Sequence, residues 1–237
     1  MTIRNAEASP IRYARIAGIG LLLMAVFAMF ANFFVFESLV IPGDAVTTAN
    51  NIVANEMLFR GGIIGFIAVL VLDVLVAWAL YGLFLPVHKM LALLGAWLRL
   101  IYTAIFAVAL NNILNVLLLL NGAEYLTEFE TGQLQAQIML SLNAFNFGWL
   151  NGFVFFGLHL LVIGYLILKS GCVPRIIGIV LIIAAFAYVL DSIAHFLLPN
   201  YSDYEAVFVL IVAVPGALGE ISLALWLLIK GVKVRQT

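Results

Sequence analysis

The chain has 237 residues, of which 65% are hydrophobic and only 10% are charged, whereas an ordinary soluble domain carries about 25% charged residues. This deficit excludes a soluble globular enzyme, and the single Cys172 excludes a disulfide-stapled secreted domain. The formal net charge of −1 excludes a globally basic nucleic-acid-binding protein, so we expect no nucleic-acid partner. The composition instead predicts an all-α polytopic membrane protein with the lipid bilayer around it.

Six apolar stretches are long enough to cross a bilayer, since a spanning helix needs about 20 apolar residues. They are Ile16–Phe36, Leu58–Leu85, Leu91–Leu120, Ile138–Leu168, Ile176–Leu198 and Val207–Ile229. The first is longer than the core of a signal peptide, about 7–15 residues, so we interpret it as a retained signal anchor. We therefore predict a six-helix transmembrane domain over residues 16–230, with tails at residues 1–15 and 231–237.

Lys and Arg residues are concentrated in alternate segments between the predicted spans. Nine of the 11 Lys and Arg residues fall in the two tails and in the loops after the second and fourth spans. The other three loops carry acidic residues and no Lys or Arg. Since cationic loops stay in the cytoplasm, we predict that both termini are cytoplasmic. The exceptions are Arg60, near the outer end of the second span, and Arg99, inside the third.

Two loop sequences predict helix starts outside the membrane. Pro42-Gly43-Asp44 combines a turn with an N-cap residue, so a short interfacial helix should lead into the second span. Thr127 and Glu130 fit a capping box, from which a helix should run into the fourth span. That helix would be too long to lie wholly in lipid, so its first turns should lie outside the hydrocarbon.

Glycine and proline patterns predict how the spans pack. Gly61-x-x-x-Gly65 and Gly148-x-x-x-Gly152 place small residues on one helix face, which lets two helices approach closely. Pro215 removes a backbone hydrogen bond inside the sixth span. We therefore expect a kink at Pro215. A broken helix near Pro215–Gly219 would resemble the interrupted helices of transporters.

Apart from Arg60 near the outer end of the second span, six Asp, Glu, Arg or His residues fall inside the predicted spans. They are Asp73, Arg99, His159, Asp191, His195 and Glu220. A charge at the bilayer centre costs roughly 2.5–3.5 kcal/mol. Helix rise from the predicted cytoplasmic ends puts Arg99, His159 and Glu220 about 14 Å deep, and Asp73 about 18 Å deep. We predict that these four residues form a ligand-binding or proton-coupling site near the midplane. Arg99 should pair with Asp73, because their spans are antiparallel neighbours. Glu220, left without a cation, should then contact His159.

A second polar group lies in the predicted outer half of the membrane. The fifth span carries Tyr188, Asp191, Ser192 and His195 at i, i+3, i+4 and i+7, which is one face of a helix. Four asparagines fall in the same outer half of the third and fourth spans: Asn112, Asn115, Asn143 and Asn146. We interpret the asparagines, Tyr188 and Ser192 as an outer vestibule. Asp191 and His195 on the same face are further candidates for ligand binding or proton coupling, together with the four midplane residues.

Metal-assisted catalysis is an alternative interpretation of the polar face. Asp191 and His195 stand one helical turn apart, and His159 could supply a third zinc ligand from the fourth span. The pattern lacks His-Glu-x-x-His, and Ser192 has no Gly-x-Ser-x-Gly context. We therefore predict no metal site, no catalytic residue and no cofactor, and leave enzymatic activity open with the balance against it.

Several stretches carry a resemblance to a known family. They are Ile41-Pro-Gly-Asp-Ala45, Phe156-Gly-Leu-His159, Gly164-Tyr-Leu-Ile, Lys169-Ser-Gly, Pro174-Arg-Ile-Ile-Gly178, Tyr188-Val-Leu-Asp-Ser192, Leu198-Pro-Asn-Tyr201, Gly219-Glu220 and Ala224-Leu-Trp-Leu-Leu-Ile-Lys230. Together they cover nearly the whole chain and resemble a bacterial family of uncharacterised membrane proteins, DUF4386. The resemblance implies a multi-pass protein of the bacterial inner membrane, and it supplies no activity, substrate or catalytic residue.

The residues leave three functions open. A small-solute-binding or transport-like protein would use the midplane site for a small polar or lipid-like ligand. A non-catalytic scaffold or regulatory protein would use the same charges as a structural network. An intramembrane metal-dependent hydrolase is the third candidate. The sequence indicates no oligomeric state.

Overall fold

A computed structural model describes residues 10–230 of the protein, which are helical and contain no strand. The helices are α1 (Pro10–Met29), α2 (Glu37–Leu39), α3 (Ala45–Ala54), α4 (Glu56–Phe84), α5 (Lys89–Leu120), α6 (Thr131–Ser170), α7 (Arg175–Leu197) and α8 (Glu205–Ile229). A π-helical segment, Phe30–Phe36, joins α1 to α2 without a break. Arg4, Lys233 and Arg235, which contribute to the predicted orientation of the tails, lie outside the described residues.

Six of these helical stretches are long and apolar enough to cross a membrane. They are Pro10–Leu39, Glu56–Phe84, Lys89–Leu120, Thr131–Ser170, Arg175–Leu197 and Glu205–Ile229. A helix satisfies its backbone hydrogen bonds internally, which is what a chain in hydrocarbon requires. Each stretch overlaps one predicted span, so the all-α polytopic fold is confirmed.

The turn at Pro42-Gly43-Asp44 precedes a short helix, as predicted. Gly43 has φ +77°, a left-handed conformation that favours glycine. Asp44 caps α3 by accepting hydrogen bonds from the Thr47 hydroxyl at 2.6 Å and the Thr47 backbone N–H at 2.9 Å. These two bonds hold the pKa of Asp44 below its usual range, so the cap stays ionised.

The predicted capping box at Thr127 and Glu130 is not formed. The Thr127 hydroxyl donates instead to the Glu124 carbonyl at 2.6 Å, within a short 3₁₀ turn, and α6 begins at Thr131. The side-chain oxygen of Gln133 accepts a hydrogen bond from the Glu130 backbone N–H at 3.0 Å. The helix therefore starts one turn later than predicted, because the preceding turn already uses the Thr127 hydroxyl.

Helix α8 also differs from the prediction. It runs unbroken from Glu205 to Ile229 with Pro215 inside it, so the interruption expected near Pro215–Gly219 is wrong. Proline has no N–H, so the carbonyl of Ile211 cannot receive the usual helical hydrogen bond from Pro215. The helix is therefore continuous and leaves one backbone acceptor without its usual donor.

The chain divides into two compact units. The first, which we call the charged unit, contains residues 10–22, 72–101 and 153–230 of the described chain. The second, which we call the aromatic unit, contains residues 23–71 and 102–152. Because the boundaries fall inside α1, α4, α5 and α6, these four helices each contribute to both units.

Four buried phenylalanine rings and the partly buried ring of Trp149 pack together inside the aromatic unit. Phe36, Phe66, Phe106, Phe145 and Trp149 form a connected set with ring centroids 5.1 to 6.2 Å apart. Gly148 packs against Ala109, since a Cβ at Gly148 would lie 2.8 Å from the Ala109 methyl carbon. A Cβ at Gly152 would lie 3.1 Å from the Tyr102 ring. The close approach predicted from Gly148-x-x-x-Gly152 is therefore confirmed.

In the charged unit, α6 and α7 meet at two glycines. A Cβ built on Gly164 would lie 2.7 Å from the carbonyl oxygen of Gly178, and a Cβ on Gly178 would lie 2.8 Å from the carbonyl oxygen of Gly164. The two backbones are thus in direct contact with no space for a side chain. This contact holds α6 beside α7. Both helices carry residues of the candidate site.

Candidate functional site

All six of the ionisable residues predicted to lie within the spans belong to the charged unit. Asp73 lies on α4, Arg99 on α5, His159 on α6, Asp191 and His195 on α7, and Glu220 on α8. In the aromatic unit, the described Asp, Glu, Lys and Arg side chains lie in loops or near helix ends. Arg60, for example, pairs with Glu56 at a half-exposed position in the first turns of α4. The candidate site is therefore a property of the charged unit.

Arg99 and Asp73 form a buried ion pair, as predicted. Arg99 Nη2 lies 2.8 Å from Asp73 Oδ1, and the two side chains are 1% and 0% exposed. A short turn joins α4 to α5, so antiparallel packing brings both residues to the same depth. Oδ2 of Asp73 has no hydrogen-bond donor among the described residues. The pair therefore leaves one buried acceptor available.

The same guanidinium contacts His159. Arg99 Nη1 lies 3.1 Å from Nε2 of the ring, and Nδ1 lies 2.8 Å from the carbonyl oxygen of Gly95. A guanidinium can only donate and a carbonyl can only accept, so we assign His159 as the neutral tautomer with its hydrogen on Nδ1. A Cβ at Gly95 would lie 3.3 Å from Val162, so the small residue helps α5 to approach α6. The ring is thereby held from both sides.

The predicted contact between His159 and Glu220 is wrong, because both ring nitrogens of His159 have other partners. Glu220 is partly buried, and it makes no ion pair or hydrogen bond with any residue in the range 10–230. The charges of Arg99 and Asp73 are near enough to act on it. With His159 neutral, the four residues Asp73, Arg99, His159 and Glu220 comprise two carboxyl groups and one guanidinium, so one acid lacks a counter-ion.

Aromatic rings connect the midplane groups to the second half of α7. The Phe156 ring lies 5.5 Å from Arg99 Cζ, a cation–π distance. Its centroid is 5.2 Å from that of Tyr188, and the Phe153 centroid is 5.0 Å from the same ring. The Tyr188 hydroxyl oxygen lies 3.0 Å from the point where a Cβ on Gly216 would stand. Phe156 was not predicted as a site residue, because a phenylalanine in an apolar span carries no distinguishing signal.

Asp191 and Tyr201 form a hydrogen bond at the C-terminal end of α7. The Tyr201 hydroxyl donates to Asp191 Oδ1 at 2.6 Å, and Asp191 is 7% exposed. The His195 ring centroid lies 4.3 Å from that of Tyr201. Burial raises the pKa of Tyr201, as do the hydrogen bond to Asp191 and the charges of Asp191 and Glu205. The phenol therefore remains a donor over the physiological pH range.

Tyr201 was also not predicted as a site residue. It stands in a short 3₁₀ turn, Tyr201–Asp203, outside the helical face that carries Asp191 and His195. The signal that could have revealed it is the Pro199-Asn200 turn, which folds the chain back onto α7.

The other predicted vestibule residues are divided between the two units. In the charged unit, Ser192 is buried and its hydroxyl donates to the Tyr188 carbonyl at 3.0 Å. The asparagines belong to the aromatic unit, where Asn115, Asn143 and Asn146 are exposed. Asn112 donates to the Ala109 carbonyl of its own helix at 3.1 Å. The vestibule stays a prediction.

Within the described part of the chain, no three His, Cys, Asp or Glu side chains converge as metal ligands. His159 cannot join Asp191 and His195 in a zinc site, because Arg99 and Gly95 hold its two ring nitrogens. The residues named for metal-assisted hydrolysis are therefore not assembled for it, and we do not propose a hydrolase.

Comparison with known proteins identifies the family of the chain. The family model described as Domain of unknown function (DUF4386) matches residues 16–231. The chain belongs to the DUF4386 family. A relative described as an uncharacterized protein from Archaeoglobus fulgidus is 33% identical over 174 residues, which cover 73% of this chain and 86% of the relative. No solved structure matches the chain. The family description names no activity, so the chemistry of this DUF4386 protein is inferred from its own buried groups.

Proposed function

We propose that this DUF4386 protein is a small-solute-binding or transport-like membrane protein that takes up a proton at Glu220. One observation carries the proposal: Glu220 is partly buried in the charged unit that also holds the Asp73–Arg99 pair, and it has no counter-ion among the described residues. A lone carboxylate in hydrocarbon is costly, so the group is stabilised by taking a proton or a cationic partner from outside the chain. Binding and release of that proton is the chemistry we assign to Glu220.

Asp73, Arg99 and His159 form a platform of zero net charge next to this acid. The ion pair cancels, and His159 contributes a neutral ring. Asp73 Oδ2 has no donor in the described chain, so it can accept one hydrogen bond from a bound N–H or O–H group. This arrangement suits a small polar ligand, or the polar end of a lipid-like one, that binds together with a proton.

Replacing Glu220 by glutamine should abolish proton uptake while preserving the fold. Infrared difference spectra of the reconstituted protein, taken between acidic and alkaline buffer, should show a protonated-carboxyl C=O band that Glu220→Gln removes. The free energy of unfolding, measured by thermal unfolding in detergent, should change by no more than about 0.5 kcal/mol. The reason is that the Glu220 side chain makes no ion pair or hydrogen bond with a described residue.

Glu205→Gln is the matched control, because Glu205 is an exposed acid in the first turn of the same helix. This variant should retain the infrared band. A band that persists unchanged in Glu220→Gln would contradict the proposal. A large loss of stability in Glu220→Gln would also contradict it, since Glu220 would then be part of the structural network.

A non-catalytic scaffold or regulatory protein is the second candidate. It is favoured by the closure of the Asp73–Arg99–His159 network, whose side chains are at most 1% exposed. In this second candidate the closed network binds no ligand, and its charges serve to fix which helices are neighbours. The Glu220 measurements separate the two candidates, because a scaffold needs no titrating carboxyl at the midplane.

We further propose that the protein lies in the cell membrane with both termini in the cytoplasm. The family resemblance implies that this membrane is a bacterial inner membrane. The alternation of charge supports this orientation. Lys89, Lys169, Arg175 and Lys230 lie at one set of helix ends. Acidic residues without Lys or Arg occupy the loops at the other ends, apart from the Arg60–Glu56 pair in the first turns of α4.

Alkaline phosphatase fusions can test this orientation, because the enzyme is active only after export. A fusion that ends at Glu124, in the loop between α5 and α6, should be active. A fusion that ends at Cys172, in the loop between α6 and α7, should be inactive. The opposite pair of activities would overturn the orientation.

A further inference from the structure

A line of polar groups follows α7 and α8 from the loop between them to Glu220. Asp191 and Tyr188 stand three residues apart on α7, so they share one face of the helix. Gly216 and Glu220 stand four residues apart on α8 and also share a face. We call these four residues the α7–α8 seam, and we call the end at which residues 198–204 join the helices the loop end.

Tyr188 is the point at which the two helices of the seam meet. Its hydroxyl oxygen lies 3.0 Å from the position of a Cβ on Gly216, so the hydroxyl occupies the space that a side chain would fill. Thirteen residues separate Tyr188 from Arg175 and Gly216 from Ile229, which is about 20 Å of helix in each case. The hydroxyl therefore reaches the face of α8 that carries Glu220, one turn nearer to the loop end.

Two aromatic rings flank Tyr188. The rings of Phe153 and Phe156 pack on it at 5.0 and 5.2 Å. Phe156 also covers Arg99, so the charged platform lies directly behind these rings. Pro215 adds a polar backbone group on α8, because the carbonyl of Ile211 lacks its usual helical donor. Polar groups thus continue toward the loop end while aromatic rings close the sides.

The loop end of the seam is capped by the contact between Asp191 and Tyr201. The Tyr201 hydroxyl donates to Asp191 at 2.6 Å, His195 packs on the Tyr201 ring, and the charge of Glu205 acts on Tyr201. Asp191 is 7% exposed and its partner Tyr201 belongs to the loop, so this carboxylate is the member of the seam nearest to the loop end. An acid in that position can receive a proton from water.

We propose that the α7–α8 seam is a proton-uptake path from the aqueous side of the loop end to Glu220, with Asp191 as the first acceptor and the Tyr188 hydroxyl as the relay. This inference rests on the proposed function of Glu220 as the proton-binding group. It adds the side of entry, which is the side that faces away from the cytoplasm in the proposed orientation.

The transfer conserves protons at every step. Hydronium from the aqueous side gives one proton to the Asp191 carboxylate, which becomes a carboxylic acid. Asp191 passes that proton to the oxygen of the Tyr188 hydroxyl, and Tyr188 gives up its own hydroxyl proton to the Glu220 carboxylate. The hydroxyl is unchanged, Asp191 is ionised again, and Glu220 is a neutral acid. No oxidant, reductant or metal is needed.

Hydrogen–deuterium exchange at Glu220 tests the path. The reconstituted wild-type protein is moved from H₂O to D₂O at the pH at which the Glu220 band is present, and the shift of its C=O band is followed in time. Removing a positioned proton-transfer group slows such transfers by about a hundredfold or more. Tyr188→Phe should therefore slow the exchange by at least about tenfold, while the band itself remains. Asp191→Asn should slow it as well, and it serves as the second variant if Tyr188→Phe does not fold.

Tyr165→Phe is the matched control. Tyr165 lies on α6 toward the opposite end of the charged unit, is 44% exposed, and contacts Lys169. In Tyr165→Phe, the proton of Glu220 should exchange at the wild-type rate. Wild-type exchange in both Tyr188→Phe and Asp191→Asn would overturn the path but leave Glu220 as the proton-binding group. Absence of any band that depends on Glu220 would overturn the proposed function and the path together.

Discussion

Arg99→Met should lower the free energy of unfolding by about 3–5 kcal/mol, because it leaves the Asp73 charge buried without its cation. The same change removes the donor to His159 Nε2, so a second buried polar atom loses its partner. Thermal unfolding of the purified protein in detergent, followed by circular dichroism, measures the loss.

A second variant and a control make this prediction specific. Asp73→Leu combined with Arg99→Met should regain much of the lost stability, because both desolvated charges are then absent. Arg60→Met breaks the half-exposed pair with Glu56 and should cost no more than about 1 kcal/mol. If Arg99→Met unfolded at the wild-type temperature, the buried pair would not be holding α4 and α5 together.

Gly164→Ala should produce the second large effect. The added methyl would stand 2.7 Å from the Gly178 carbonyl oxygen, and this neighbour is backbone that cannot rotate away. α6 and α7 must then separate, at a cost of about 1–3 kcal/mol or more. The unfolding temperature should fall. Cysteine pairs introduced on the facing sides of α6 and α7 should also form disulfide cross-links less efficiently, because the two helices are farther apart.

Gly132→Ala provides the control for the glycine prediction. Nothing lies within 4 Å of a Cβ at Gly132, which is also helical, so the change should stabilise the start of α6 by about 0.5–1 kcal/mol. Equal effects of the two substitutions would show that helix propensity, rather than contact between α6 and α7, determines the outcome.

The Asp73–Arg99 pair shows what sequence can predict in this fold. The turn at residues 85–88 is too short to let α4 and α5 be anything but antiparallel neighbours, and helix rise then sets their depths. Depth along a helix follows from counting residues, so the sequence alone is enough to assign four ionisable groups to one layer. The spans themselves are visible for the same reason, since their length and apolar content are properties of the sequence.

His159 shows where sequence reasoning stops. Counting residues gives its depth but not the direction in which the ring points or which helix stands opposite. The ring turns to α5, where Arg99 and the Gly95 carbonyl satisfy both nitrogens, and a carbonyl acceptor has no signature in the sequence. Tyr201 illustrates the same limit in a loop, because its contact with Asp191 depends on how the chain turns after α7.

The solitary carboxyl of Glu220 has an electrical consequence. Asp73 and Arg99 cancel, so a membrane voltage does almost no net work on that pair. Under the proposed function, a proton that travels from one aqueous face to Glu220 would move one uncompensated charge through roughly half of a hydrocarbon core about 30 Å thick. Moving one charge across the whole membrane is worth about 2.3 kcal/mol per 100 mV. The free energy of protonating Glu220 would therefore change by roughly 1 kcal/mol per 100 mV. The resting voltage of the cell would thus act directly on how often this one side chain carries its proton.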